Sequence, residues 1–209
     1  MAAVADTVTN EASSGATHYL EGDCRIWRGR IRLARGQLDD ARNDGQRALE
    51  LARASNDPQN LGPALAFGAR MLLLADRSAE AGRLVDELLE HLPGRLLKPV
   101  LGVDLPICLV ELGRPVEALD GVLPSRWLEA AQAYVTGAPG PAADIYAAIG
   151  ARPDEAYARL QAARQLMLAN RAVEANTELA VALAFYRQVG ASAHLAEAKK
   201  LLAMMLFSS

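Results

Sequence analysis

Five times along the chain, a residue suited to a left-handed turn is followed five positions later by alanine: Gly36/Ala41, Asp76/Ala81, Gly113/Ala118, Gly137/Ala142 and Asn170/Ala175. Gly, Asn and Asp tolerate positive φ better than other residues, so each turn residue is expected to end one helix just before the next begins. Twelve residues before the alanines stand Gly29, Ala69, Pro106, Ala130 and Ala163; four residues after them come Gly45, Val85, Val122, Tyr146 and Leu179. A small residue on one helix facing a small residue on the next lets two backbones approach, and the larger residue one turn later fills the space beyond. Apolar residues recur at steps of three and four, as in Leu38, Ala41, Gly45, Ala48 and Leu49, which is one face of a helix. The expectation is a series of antiparallel helix pairs. Pro106 fits only if its helix begins or kinks there.

Composition agrees with an all-α chain. Aromatic residues make up 5% of the sequence while Ala, Leu, Arg and Glu dominate. With 51% hydrophobic residues over 209 positions, a core can form without disulfides or metals. A net charge of −3 provides no general attraction for nucleic acid or anionic membrane, so neither is expected as a direct partner. Cys24 and Cys108 lie far apart without a CxxC pair, which suits reduced thiols in a cytoplasmic protein better than a bridge. Apolar runs such as LAVALAFY and ARMLLLA are interrupted by charge well short of a bilayer span. The opening MAAVADTVTNEASSGAT lacks the basic start and apolar block of a secretion signal. Residues 1–16 are therefore expected to form a flexible tail and residues 17–209 a single helical domain.

The pattern resembles the tetratricopeptide repeat, whose unit of about 34 residues is two antiparallel helices. Successive marker alanines lie 40, 37, 24 and 33 residues apart, so the array is irregular, and Tyr146 is the clearest surviving aromatic landmark. The expected architecture is a right-handed α-solenoid of about five degenerate pairs. A capping helix near residues 193–206 would close it, with Leu195, Ala198, Leu202 and Met205 as its apolar stripe. The segments HYLEGDCRIWRGRIRLARGQLDDARNDGQRALELA, RPDEAYARLQAARQLM and ALAFYRQVGASAHLAEAKKLLA carry a wider likeness over roughly residues 17–205. They resemble the C-terminal helical-repeat region of large bacterial regulators that join a nucleotide-cyclase or LuxR-type module to a signalling ATPase. That resemblance implies a regulatory interaction domain in signal transduction or transcription control. The chain itself contains no GxxxxGK[ST] phosphate loop.

No residue pattern selects a catalytic or metal centre, and neither an enzyme nor a cofactor is expected. His18, His91 and His194 are widely separated, and His91 falls at a helix end. Asp39, Asp40, Asp44 and Glu50 alternate with arginines in the manner of a solvated helix face. No GxSxG surrounds a serine, and TGAPGPAAD over residues 136–144 reads as a turn rather than a phosphate loop.

The arginines say more. Arg25, Arg28, Arg32 and Arg35 share one strip of the first helix, most simply a solvent face. Eleven residues before each marker alanine, a second slot holds Arg30, Arg70, Ile107, Ala131 and Arg164. The tetratricopeptide resemblance implies that this slot faces a concave groove. Snorkelling arginine stems would explain the pattern without any ligand. The functional alternative is a partner-binding groove in which guanidinium groups meet carboxylates. Two cationic regions would then flank an apolar middle. The expected occupant is an acidic and hydrophobic protein or peptide segment; the alternative is a small anionic molecule sensed by a regulator.

Overall fold

The computed structural model describes residues 20–55 and 58–207; the expected tail over 1–16 and His18 lie outside the described residues. Ten α-helices account for most of them: α1 Glu21–Ala34, α2 Leu38–Ser55, α3 Pro58–Leu73, α4 Ser78–Glu90, α5 Asp104–Glu111, α6 Arg126–Val135, α7 Pro139–Ala148, α8 Arg152–Leu168, α9 Ala172–Val189 and α10 Ser192–Phe207. Short 3-10 turns occupy Pro99–Leu101 and Val116–Leu119. Among the described residues there is no strand, only an isolated bridge between Leu96 and Leu123. No helix among them is long and apolar enough to cross a membrane.

The five turn residues do what their chemistry requires. Gly36, Asp76, Gly113, Gly137 and Asn170 all have positive φ, and Asp76 and Asn170 are the non-glycine residues that do so. After each, the next amide reaches back to the carbonyl five residues earlier: Gln37 to Arg32 at 2.9 Å, Arg77 to Leu72 at 3.0 Å, Arg114 to Leu109 at 2.8 Å, Ala138 to Ala133 at 2.9 Å and Arg171 to Leu166 at 2.8 Å. This is the Schellman closure, which satisfies carbonyls a helix end would leave bare. It folds α1 onto α2, α3 onto α4, α6 onto α7 and α8 onto α9.

After Gly113 a second α-helix does not form. Pro115 is extended, the chain makes one 3-10 turn, and Gly121 and Pro124 prevent its continuation. The short interval of 24 residues to the next marker alanine records this missing helix. Ala118 is accordingly only half-buried, whereas Ala41, Ala81, Ala142 and Ala175 are fully buried. Gly29, Ala69, Pro106, Ala130 and Ala163 are buried opposite them, and α5 begins two residues before Pro106.

The helices assemble in sequence, α2 against α3, α3 against α5, α5 against α6 and α7 against α8. The run curls back on itself, so that α10 packs on α8 and α9 and also on α1. At that junction Ser192 Oγ donates to the Arg35 carbonyl at 3.2 Å. On α10, Ala198 and Leu201 are buried while Lys199 and Lys200 are exposed. Leu195 and Leu202 pack against the α8–α9 core beside the buried Ala198 and Leu201, while the expected fourth stripe residue, Met205, lies outside the described side chains.

Candidate functional site

The curl of the chain leaves a cavity of about 350 Å³ between its first and last helices. α1 lines it with Trp27, Arg30, Ile31 and Ala34, residues that share one face by their three- and four-residue spacing. α8 adds Pro153, Asp154 and Tyr157, α9 adds Phe185, Tyr186 and Val189, and α10 adds His194. Arg70 from α3 and Asp104 from the first position of α5 complete it. Arg35, Pro153 and Val189 are exposed at the rim, while Asp104 at 0%, Tyr186 at 2% and Arg70 at 9% exposure form the depth.

Asp104 organises that depth. Arg30 donates to its Oδ2 through Nε at 2.7 Å, with Nη2 2.6 Å from the same oxygen. Arg70 donates to Oδ1 through Nη1 at 2.5 Å. Arg30 Nη2 also reaches the Leu101 carbonyl at 3.2 Å. Burial works to raise the Asp104 pKa, but the two guanidinium groups overcome it and hold the carboxyl below its ordinary value. Burial likewise opposes the Arg70 charge, and Asp104 more than compensates, pushing that pKa up. Each guanidinium also lies near an aromatic ring, Arg30 Cζ 4.8 Å from the Trp27 centroid and Arg70 Cζ 5.2 Å from that of Tyr157.

A second carboxylate lies beside this cluster. Asp154 Oδ1 accepts from the Val103 amide at 2.7 Å. Burial raises its pKa to about 6, against the pull of Arg30. Gly102 permits the approach: its φ is +48°, and a Cβ there would lie 2.6 Å from Asp154 Oδ1. Burial raises the pKa values of Tyr157 and Tyr186, which line the cavity, and of Tyr134 behind them. His194 Nδ1 is 3.5 Å from Glu197, whose carboxyl also pairs with Arg164. Burial would raise the Glu197 pKa, but His194 and Arg164 hold it down.

Of the five residues in the expected groove slot, the structure brings Arg30 and Arg70 together at the cavity. Their heads are not spread in water; both are drawn inward to Asp104. Ile107 and Ala131 are buried in the helix core and do not line the cavity. Arg164 stands apart in its pair with Glu197. The slot faces the cavity on α1 and α3 alone.

The strip of Arg25, Arg28 and Arg32 requires a correction, and so does Asp44. Asp44 is 1% exposed and accepts from all three arginines: Arg25 Nη1 at 3.4 Å, Arg28 Nη2 at 2.6 Å and Arg32 Nη1 at 2.7 Å. It lies three residues after Ala41 and four before Ala48, on the buried face of α2. Alternating charges mimicked a solvated face although the periodicity placed Asp44 inside. Asp104 had a similar signal: fourteen residues before the marker alanine, its slot holds Trp27, Phe67, Leu128 and Gln161 in the other four units, none of them charged. A carboxylate in a largely apolar slot requires buried cations. The cavity-forming role of Tyr157, Phe185, Tyr186 and His194 has no such signal, since it depends on ring closure.

The remaining candidates are plain. His91 is the C-cap residue of α4, and Gly137 turns the chain into α7 at Pro139. Cys24 and Cys108 are free thiols, and Cys108 is buried within reach of the Ala66 carbonyl. Among the described residues, no three His, Cys, Asp or Glu side chains are grouped to hold a metal ion. No protein-family model matches the chain, and no curated protein matches it significantly.

Proposed function

We propose that the chain is a non-catalytic regulatory module built from about five degenerate tetratricopeptide-like units in a right-handed solenoid, the third of them lacking its second α-helix, and that it binds a small molecule inside its curl. The observation that carries this reading is the 350 Å³ cavity between α1 and α10, apolar around its walls, with Arg30 and Arg70 ion-paired to Asp104 in its depth. Its size falls at the lower end of ligand pockets, which span about 300–1,000 Å³. The packing of α10 on α1 leaves less room there for an extended peptide than an open groove would. Because the cavity touches the first and last helices together, an occupant would bias how they dock, which is how a sensor in a cytoplasmic signalling or transcription regulator works.

A second reading, a docking surface for a protein partner, draws on a different place. Leu168 and Val173, flanking the α8–α9 turn, are 86% and 83% exposed. A thermal-shift screen against a chemically diverse metabolite set, run beside a pull-down on the immobilised chain, separates the two. A ligand at 100 times its dissociation constant stabilises by about 2.7 kcal/mol, a readily measured shift. Specific retention of a protein with no stabilising metabolite would reject the ligand reading.

A further inference from the structure

We propose that the cavity takes a small, uncharged aromatic molecule, seated among the rings of Trp27, Tyr157 and Phe185 beside an ion cluster whose charges already cancel. This rests on the small-molecule reading above and adds the chemistry of the ligand.

The cavity is charged in its depth, but the charges balance. Arg30 and Arg70 contribute two positive charges, and Asp104 and Asp154 two negative ones, Asp154 being ionised at neutral pH with its pKa at about 6. Both Asp104 oxygens accept from guanidinium groups, Oδ2 from Arg30 and Oδ1 from Arg70, while Asp154 Oδ1 accepts from the Val103 amide. Outside this set, Arg35 is exposed at the rim, where water solvates it, and His194 Nδ1 faces Glu197. An ionic ligand entering here would lose its hydration without meeting an unmatched opposite charge, whereas a neutral one loses little. The walls then decide between a chain and a ring. Tyr157, His194, Tyr186 and Phe185 all line the cavity as a row whose successive ring centroids lie 6.0, 5.1 and 6.1 Å apart, and Trp27 lines it from α1. Ring pairs gain attraction beyond the area they bury, so a flat aromatic body gains from these walls what an aliphatic chain of equal area does not.

Isothermal titration of the intact chain with naphthalenemethanol, naphthoate, naphthylmethylammonium and octanol tests this. Naphthalenemethanol should bind saturably, the two ions at least tenfold more weakly and octanol several-fold more weakly. Asp154→Asn keeps an oxygen for the Val103 amide but leaves the cluster with one excess positive charge. Relative to the alcohol, naphthoate should then gain at least fivefold in affinity and the ammonium should lose, a sorting by charge that a residue merely packing the wall would not produce. Trp27→Leu and Phe185→Leu each exchange a ring for an aliphatic side chain at a half-buried position, and each should cut the preference for naphthalenemethanol over octanol several-fold. If one of these two fails to fold, the other decides. The inference is overturned if either ion or octanol matches naphthalenemethanol on the parent, if none of the four binds, if Asp154→Asn leaves the order of the two ions unmoved, or if the folded ring variants keep the parent's preference. Each of those outcomes leaves the small-molecule reading standing. Only the metabolite screen, with no stabilising compound at all, rejects that broader reading.

Discussion

Asp104 and Asp154 both neighbour Arg30, yet they act on stability with opposite sign. Asp104 is held below its ordinary pKa by Arg30 and Arg70, so its contribution is present above the unfolded carboxylate pKa and is lost as pH falls through the depressed native one. Asp104→Asn would leave two guanidinium groups facing an uncharged amide in the interior, and should cost about 3–5 kcal/mol at neutral pH. Asp154 titrates natively at about 6, above the ordinary carboxylate value of roughly 4. Between those values the folded chain holds a proton that the unfolded chain has lost, so stability from this group falls as pH rises through the window and stays lower above it. Asp154→Asn keeps an oxygen for the Val103 amide and removes the buried charge. It should raise stability at neutral pH by on the order of 1–3 kcal/mol and flatten the slope across that window. Denaturant melts of both variants across the acid range would show one loss and one gain; two changes of the same sign would contradict the assignment.

At the scale of the helix pair, close approach depends on the small residues, and Gly29 gives the sharpest case. A Cβ at Gly29 would lie 2.6 Å from Cε1 of Phe67, a fully buried ring on α3. Gly29→Ala gains about 1 kcal/mol in helix propensity, but pressing that ring aside should make the variant a net 1–3 kcal/mol less stable, roughly. Gly22, on the same helix, meets only the Ala48 carbonyl at 4.0 Å, so Gly22→Ala should stabilise by up to about 1 kcal/mol. If thermal unfolding moves both variants in one direction, the α1–α3 contact is not as close as described. This element-level grammar was legible in the sequence because turn chemistry and small-residue spacing are local: Gly36, Asp76, Gly113, Gly137 and Asn170 could be named without knowing what they pack against. The partners of Arg30, Arg70 and Arg28 were not legible in the same way. Asp104 lies 74 residues from Arg30 and 34 from Arg70, so the charge that draws them inward depends on tertiary packing. The missing helix after Gly113 stood between the two cases, since Pro115, Gly121 and Pro124 are local breakers within an otherwise matching unit.

The whole molecule turns on one long-range contact, the meeting of α10 with the end of α1, because without it the cavity loses a wall. A Cβ built on Gly36 would lie 3.5 Å from the Cβ of Ala193, within the roughly 3.5–4.5 Å that disulfides span. The double variant Gly36→Cys, Ala193→Cys, made with Cys24→Ser to remove the half-buried native thiol, therefore tests ring closure directly. Reduced, it should be less stable than its Cys24→Ser parent by on the order of 1–2 kcal/mol, because position 36 holds a φ of +81° that suits glycine. Oxidised, it closes a loop as long as that spanned by the Ser192–Arg35 contact, 157 residues. Chain-entropy arguments put the gain from such a loop at about 4–5 kcal/mol, more than the strain at position 36. The oxidised form should then unfold at higher denaturant than both the reduced form and the parent, with an unchanged far-ultraviolet spectrum. Failure of the thiols to pair under mild oxidant would show that α1 and α10 do not meet in solution, and the cavity would lose its fourth wall.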